Sequence, residues 1–239
     1  MKPIEPIFED RWLWVINKPA GVVVNRAQSV KQATIQDWAE NSHKLQVTSD
    51  KIFLQRGGVA HRLDKDTSGC LLIAKDPETL DRLLKLFKLR QIKKDYLALV
   101  HGQVKPAKGW WSWPINRGRG KKRREFRVTP QGKSAFSRYQ VQERYRYQGE
   151  SYSLLSVDLE TGRTHQIRVH AAFAKHPVVA DEIYGIAAVS QADRVWCGRH
   201  WLHAARISLT HPITGAALTV KAALPQDLEA ALKRLQRQA

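Results

Sequence analysis

The stretch "HRLDKDTSG" (residues 61–69) sets one carboxylate among cations: Asp64 has Arg62 and Lys65 as near neighbours, and Asp66, Thr67, Ser68 and Gly69 read as a turn. A neighbouring cation holds a carboxylate ionised below its reference pKa of about 3.9. An ionised carboxylate is what attack on an electrophilic sugar carbon requires. Taken alone, a capping or turn aspartate is the simpler reading of an Asp beside Thr-Ser-Gly. In "ETGRTHQIRVH" (160–170), Gly162 permits a sharp strand exit and Arg163 precedes a helix whose expected cap is Thr164. His165 and Arg168 are three apart and so neighbours on its surface. A guanidinium there can clamp a phosphate or orient Asp64 with a two-pronged hydrogen bond. A solvated helix face is the alternative, and the spacing does not choose between them.

A third cluster is electrostatic. Arg117, Arg119, Lys121, Lys122, Arg123, Arg124 and Arg127 crowd together against the single acid Glu125, just after Trp110, Trp111 and Trp113. Cations this dense repel one another and cannot be buried unpaired. A phosphate backbone relieves that repulsion and releases counterions. The tryptophans either stack on bases or pack as core. Over the whole chain of 239 residues, Lys and Arg total 40 against 22 for Asp and Glu, a net charge of +18. That excess points to a polyanionic partner, nucleic acid rather than a membrane, since no lipid-seeking helix or acylation signal accompanies it; a solubilising surface is the alternative.

Several classes are excluded. Cys70 and Cys197 are far apart, with no second Cys or His at ligand spacing, so neither a disulfide nor a zinc site is expected. Residues 1–20 carry charges and prolines where a signal peptide needs an apolar run, and no uncharged stretch approaches the ~20 residues of a membrane span. A cytoplasmic protein is expected. With no heptad or long exposed apolar stripe, a monomer is expected.

The elements that must hold these residues follow from pattern. Residues 11–25 read as two short strands around a Lys-Pro-Ala-Gly turn, and 32–45 as a helix through Ile35, Trp38 and Ala39, followed by a loop at "TSDK". "CLLIAK" (70–75) is a buried strand. Asp76 then caps a helix with Pro77 at its first position and Leu80, Leu83, Leu84 and Phe87 on one face. Strands are expected at 93–104, twice within 134–159, and at 201–215 with a turn. Helices are expected at 165–174 and, through Leu228, Leu232 and Leu235, at the end. Strands joined by short turns outnumber helices, which favours a mixed α+β fold with largely antiparallel pairing. One globular body over 1–239 is expected, with 43% hydrophobic residues to supply its core.

Taken together, the stretches resemble the RluA-type RNA pseudouridine synthases, which isomerise uridine to its C-glycoside. "VINKPAGVVV" is similar to the family's first motif, "HRLDKDTSGCLLIAK" to its catalytic motif, "KKDYLALVHG" to the strand with the active-site tyrosine, and "ETGRTHQIRVH" to the third. "HPVVADEIYG" and "LHAARISLTHP" follow in the family's order, so the resemblance spans roughly 11–220. It implies a pseudouridine synthase fold, a mixed, mostly antiparallel sheet flanked by helices with an active-site cleft. It further implies Asp64 as catalytic aspartate, Arg168 as its basic partner and Tyr96 as the aromatic residue packed on the target uracil, with Arg62 filling the space of the flipped nucleotide. His61, Thr67, Arg163 and Ile167 join them as substrate-binding positions, and the basic segment 116–127 as the RNA-backbone contact.

The reaction implied cleaves N1–C1′, retains and rotates the uracil, and rejoins it through C5, with no cofactor and no metal. A base inside a helix must leave its stack first. Tyr96 is also a candidate for removing the C5 proton. The partner is RNA, tRNA and/or large-subunit rRNA. The chain departs from the pattern at Ala180-Asp181, where the family commonly has Gly-Asp, so a different local backbone is expected there. With few residues before the first motif, the S4 RNA-binding domain of some members is not expected. The alternatives are a catalytically inactive RNA-binding or ribosome-assembly protein of the same fold, and a base-excising glycosidase that would release free uracil.

Overall fold

The computed structural model describes residues 4–42, 45, 48–118 and 125–238. The elements begin with β1 (Pro6–Glu9), β2 (Leu13–Lys18), α1 (Ile35–Asn41), α2 (Lys51–Arg56), β3 (Ser68–Ala74) and α3 (Pro77–Lys88). They continue with β4 (Lys93–His101), β5 (Lys108–Trp111), β6 (Ile115–Arg117), β7 (Phe126–Val128), β8 (Ser137–Tyr147) and β9 (Glu150–Leu159). Last come α4 (Gln166–Phe173), α5 (Ala187–Asp193), β10 (Leu202–Thr210), β11 (Ala217–Lys221), α6 (Gln226–Lys233) and β12 (Gln236–Arg237). The chain divides into two compact units, Met1–Lys93 with Ala204–Ala223, and Lys94–His203 with Leu224–Ala239.

In the first unit the strand order is β1-β2-β3-β10, with β11 on β10. Pairing of β2 with β3 is antiparallel, and Lys18 stands opposite Gly69. Every residue of β3 is buried, as expected for a run with no polar alternation. One face of this sheet presents Leu13 and Val15, Cys70, Leu72 and Ala74, Ile207 and Leu209 at the two-residue period of a strand. Leu80 and Leu83 of α3 close over it. Helix α3 forms where its cap and Pro77 place it: Asp76 accepts the Thr79 N–H at 2.8 Å. Gly69 has φ +120, and a Cβ there would lie 2.3 Å from the Ala204 carbonyl oxygen. Only glycine allows the two backbones to approach so closely.

In the second unit β9 lies between β4 and β8, with β5 and β12 both on β8, and all these pairs are antiparallel. The β8–β9 hairpin turns through Gln148 and Gly149, both at positive φ, the conformation that a two-residue turn demands. Leu99, Leu154 and Trp201 pack with Leu228 and Ala231 of α6. The buried Trp201 indole is satisfied by the Leu228 carbonyl at 3.0 Å. The short β6–β7 pair forms a separate hairpin whose Ile115, Phe126 and Val128 pack with Val169 of α4 and Tyr184.

The α+β class with largely antiparallel strands is what the structure shows. Four local readings change. Residues 22–25 form no strand: the carbonyls of Val23 and Val24 accept the N–H groups of Ile35 and Gln36 at 3.0 Å each, serving the start of α1 instead of a ladder. Thr48 to Asp50 of "TSDK" are loop, but a helix not expected there follows at once, because Asp50 accepts the Phe53 N–H at 2.7 Å and caps α2 from Lys51. The tight turn after Asp64 runs from Asp64 to Thr67, and Ser68 and Gly69 already belong to β3. The residue at the head of α4 is His165 rather than Thr164, in a left-handed conformation at φ 57 and without a side-chain cap bond.

Candidate active site

In the first unit Asp64 opens a turn in which its carbonyl accepts the Thr67 N–H at 3.1 Å. The turn is pinned from below. The Lys65 carbonyl accepts the Gly21 N–H and the Lys18 Nζ, both at 3.0 Å. Lys18 is fully buried, and its ammonium also donates to the carbonyls of Pro19 at 2.7 Å and Val22 at 2.9 Å. A buried cation is tolerable when its donors are met, and here three carbonyl dipoles meet them. The Lys-Pro-Ala-Gly turn therefore clamps the loop that carries Asp64. Thr67 is buried, Asp64 half-buried and Arg62 exposed. His61 serves the loop as well: its Nε2 accepts the Leu72 N–H at 3.1 Å and its ring packs on Phe87.

In the second unit Tyr96 is a buried residue of β4, opposite Val157 of β9. Ile167 and Arg168 lie on α4, whose residues from Gln166 to Ala171 are all buried, so a solvated helix face does not describe this helix. Arg168 forks onto Asp181, Nε to Oδ2 at 2.7 Å and Nη2 to Oδ1 at 2.8 Å. Both side chains are almost wholly buried, at 5% and 0% exposure. The same Asp181 Oδ1 accepts the N–H groups of Ile183 at 3.0 Å and Tyr184 at 3.1 Å. Burial pushes the Asp181 carboxyl up, but the hydrogen bonds and charge of Arg168 outweigh it and hold the group below its ordinary value. In the sequence Asp181 stands out only as part of a motif; nothing local marks it as the partner of Arg168, thirteen residues earlier.

The residue before Asp181 explains the departure from Gly-Asp. Ala180 keeps a left-handed backbone, φ 58, where glycine would be free and alanine is strained. Its N–H donates to Asp193 Oδ2 at 2.9 Å.

The start of α4 is fixed by a buried polar network. Gln166 Oε1 accepts from the Arg163 N–H at 2.9 Å and the Thr161 hydroxyl at 2.8 Å, while its Nε2 donates to the Phe136 carbonyl and Ser137 Oγ. Arg163 also donates through Nε to the Ser134 carbonyl at 3.0 Å. His170 completes the network between Ser137 Oγ at 3.0 Å and the Trp113 carbonyl at 2.9 Å. Trp113 and Trp111 pack against its ring, whereas Trp110 is exposed. Of the basic cluster, Arg117 and Arg127 are exposed on the β6–β7 hairpin, with Arg117 over the Phe126 ring. Arg119, Lys121, Lys122, Arg123 and Arg124 lie outside the described residues.

Residues 12–173, which include Asp64, Tyr96 and Arg168, match the family described as RNA pseudouridylate synthase. The chain belongs to the RNA pseudouridylate synthase family. It is an isomerase acting on RNA, and the motif resemblance is borne out. The ribosomal large subunit pseudouridine synthase D of Yersinia pestis is 35% identical over 239 residues, covering 95% of this chain and 69% of that one. The protein of the same name from Pseudomonas aeruginosa is 36% identical over 232 residues, covering 94% and 69%. Among solved structures, human RNA Pseudouridylate Synthase Domain Containing 1 superposes with a TM-score of 0.74 at 26% identity, over 100% of this chain and 92% of that one. Among the described residues no cluster of His, Cys, Asp and Glu has the arrangement to hold a metal, and no helix is long and apolar enough to cross a membrane.

Proposed function

We propose that this synthase isomerises uridine in structured RNA, with Asp64 as the group that adds to C1′ or assists the elimination that forms a glycal. The N1–C1′ bond breaks, the uracil stays bound and rotates, C5 bonds to C1′ as the Asp64–C1′ bond breaks or, on the glycal route, as C2′ regains its proton, and the C5 proton leaves to water. Tyr96 packs on the target uracil and is a candidate for taking that proton; Arg168 is the basic partner of the reacting carboxylate. Arg62, exposed beside Asp64, fills the stack after the base is flipped, a step that costs a few kcal/mol. His61, Thr67, Arg163 and Ile167 bound the substrate position. The basic segment around Arg117 and Arg127 contacts the RNA backbone.

The observation that carries this reading is the clamp beneath Asp64. A capping aspartate needs no buried lysine to hold the next peptide, whereas a group that must meet one sugar carbon needs its backbone fixed. Family membership supplies the reaction class. The names of the bacterial relatives favour large-subunit rRNA over tRNA. Release of tritium from C5-tritiated uridine in a large-subunit rRNA transcript tests it: the wild-type protein releases tritium and Asp64→Asn binds the transcript without release. Turnover by Asp64→Asn overturns the role of Asp64. Binding without release by the wild type, on rRNA and tRNA alike, would instead favour an inactive RNA-binding protein, and free uracil would indicate a glycosidase.

A further inference from the structure

Tyr184 occupies a junction that the reaction does not explain. Its hydroxyl accepts the Phe126 N–H at 2.9 Å, at the Arg117–Phe126 end of the β6–β7 ladder, and bonds His165 Nδ1 at 2.7 Å, at the head of α4. Its ring faces the Arg168 guanidinium at 5.2 Å. Its own backbone N–H is bound by Asp181, the counter-ion of Arg168. One side chain thus joins the hairpin, the strained residue that precedes the helix and the environment of Arg168.

The strain is informative. His165 adopts φ 57 with no side-chain cap, an uncommon state for a residue with a Cβ that persists only where the surroundings over-determine it. Here they are the Tyr184 hydroxyl and the Phe126 ring, whose centroid lies 5.6 Å from that of the imidazole. The Phe126 amide, for its part, takes the Tyr184 hydroxyl as an acceptor beyond the two-stranded ladder. We infer that Tyr184 is a positioning residue which fastens the Arg117–Phe126 end of the β6–β7 ladder to the head of α4, so that RNA gripped by the hairpin is held in register with the helix that carries Arg168. The inference rests on the reading of the hairpin as an RNA contact.

The phenol oxygen makes the link and the ring faces Arg168, so Tyr184→Phe separates the two. In the wild-type protein the Phe126 amide is protected from hydrogen exchange, and in Tyr184→Phe its exchange accelerates by about tenfold or more. With a C5-tritiated large-subunit rRNA transcript, KM rises about fivefold or more while kcat falls less than about threefold, the signature of lost substrate holding. Arg117→Gln/Arg127→Gln also raises KM, and adding Tyr184→Phe to it raises KM less than in the parent. Free exchange of the Phe126 amide in the wild type overturns the fastening without any variant having to fold. A KM unmoved by Tyr184→Phe but raised by the double arginine variant overturns the coupling. A KM unmoved by the double arginine variant overturns the RNA contact itself, a failure that the amide measurement tells apart from failure of the fastening.

Discussion

Replacing Asp181 by Asn removes one negative charge and almost no volume from a site where both partners are sequestered from water. Arg168 would then keep its charge at 5% exposure after losing the carboxylate that its Nε and Nη2 fork onto. The amide that replaces the carboxylate has a single oxygen for donors that the carboxylate meets with two, and its NH2 group faces a guanidinium that accepts nothing. Removing one partner of a buried pair costs about 3–5 kcal/mol, a large fraction of a typical total of about 5–15. With a urea m-value of about 2–3 kcal/mol/M, the midpoint should fall by roughly 1–2 M. Tryptophan fluorescence in a urea titration measures it. The companion variant Arg168→Met/Asp181→Leu removes both members of the fork and should lose less stability than Asp181→Asn, because neither is left buried without the other, yet release no tritium. The acid limb has a definite sign. Since the folded carboxyl lies below its ordinary value of 3.8, its contribution is complete above that value and is lost as pH falls through the lower folded one. An Asp181→Asn midpoint within about 0.3 M of wild type would show that the ion pair does not organise this site and would refute the reasoning.

Three further outcomes follow from other contacts. Lys18→Met strips three carbonyls of their shared donor and should cost about 3 kcal/mol or more; urea titration checks the loss, and tritium release at a temperature where the variant is still folded should fall because the Asp64 loop is no longer clamped. Ala180→Gly relieves a left-handed alanine and should raise stability by roughly 0.5–1 kcal/mol, net of the greater freedom of glycine in the unfolded chain; a lowered thermal midpoint would contradict it. Burial lowers the pKa of His170 from its ordinary 6.5, although the Trp113 carbonyl opposes the shift. Stability should therefore be full above pH 6.5 and decline by up to about 1.4 kcal/mol per pH unit as pH falls towards the folded value. The decline should be absent in His170→Asn, measured as urea midpoints at pH 7 and pH 5.

The apolar period and the punctuation of the chain are local properties, and what they specify was legible. Asp76 and Pro77 start α3 because a cap and a preset φ act within one turn. β3 is buried throughout because a run without polar alternation has no face to give to water. The family, read as a resemblance, is borne out by the match over residues 12–173. What the chain could not announce is which distant group answers each polar atom. The Val23 and Val24 carbonyls turn to α1, the buried Lys18 reaches the Lys65 carbonyl, and Arg168 finds Asp181. His165, not Thr164, heads α4 because Gln166 already satisfies the Arg163 N–H and Tyr184 holds the imidazole. Hydrogen bonds and ion pairs between residues far apart in sequence leave no periodicity to read. They are selected by the cost of burying a donor or a charge unmet, and that cost exists only once the chain has closed around it.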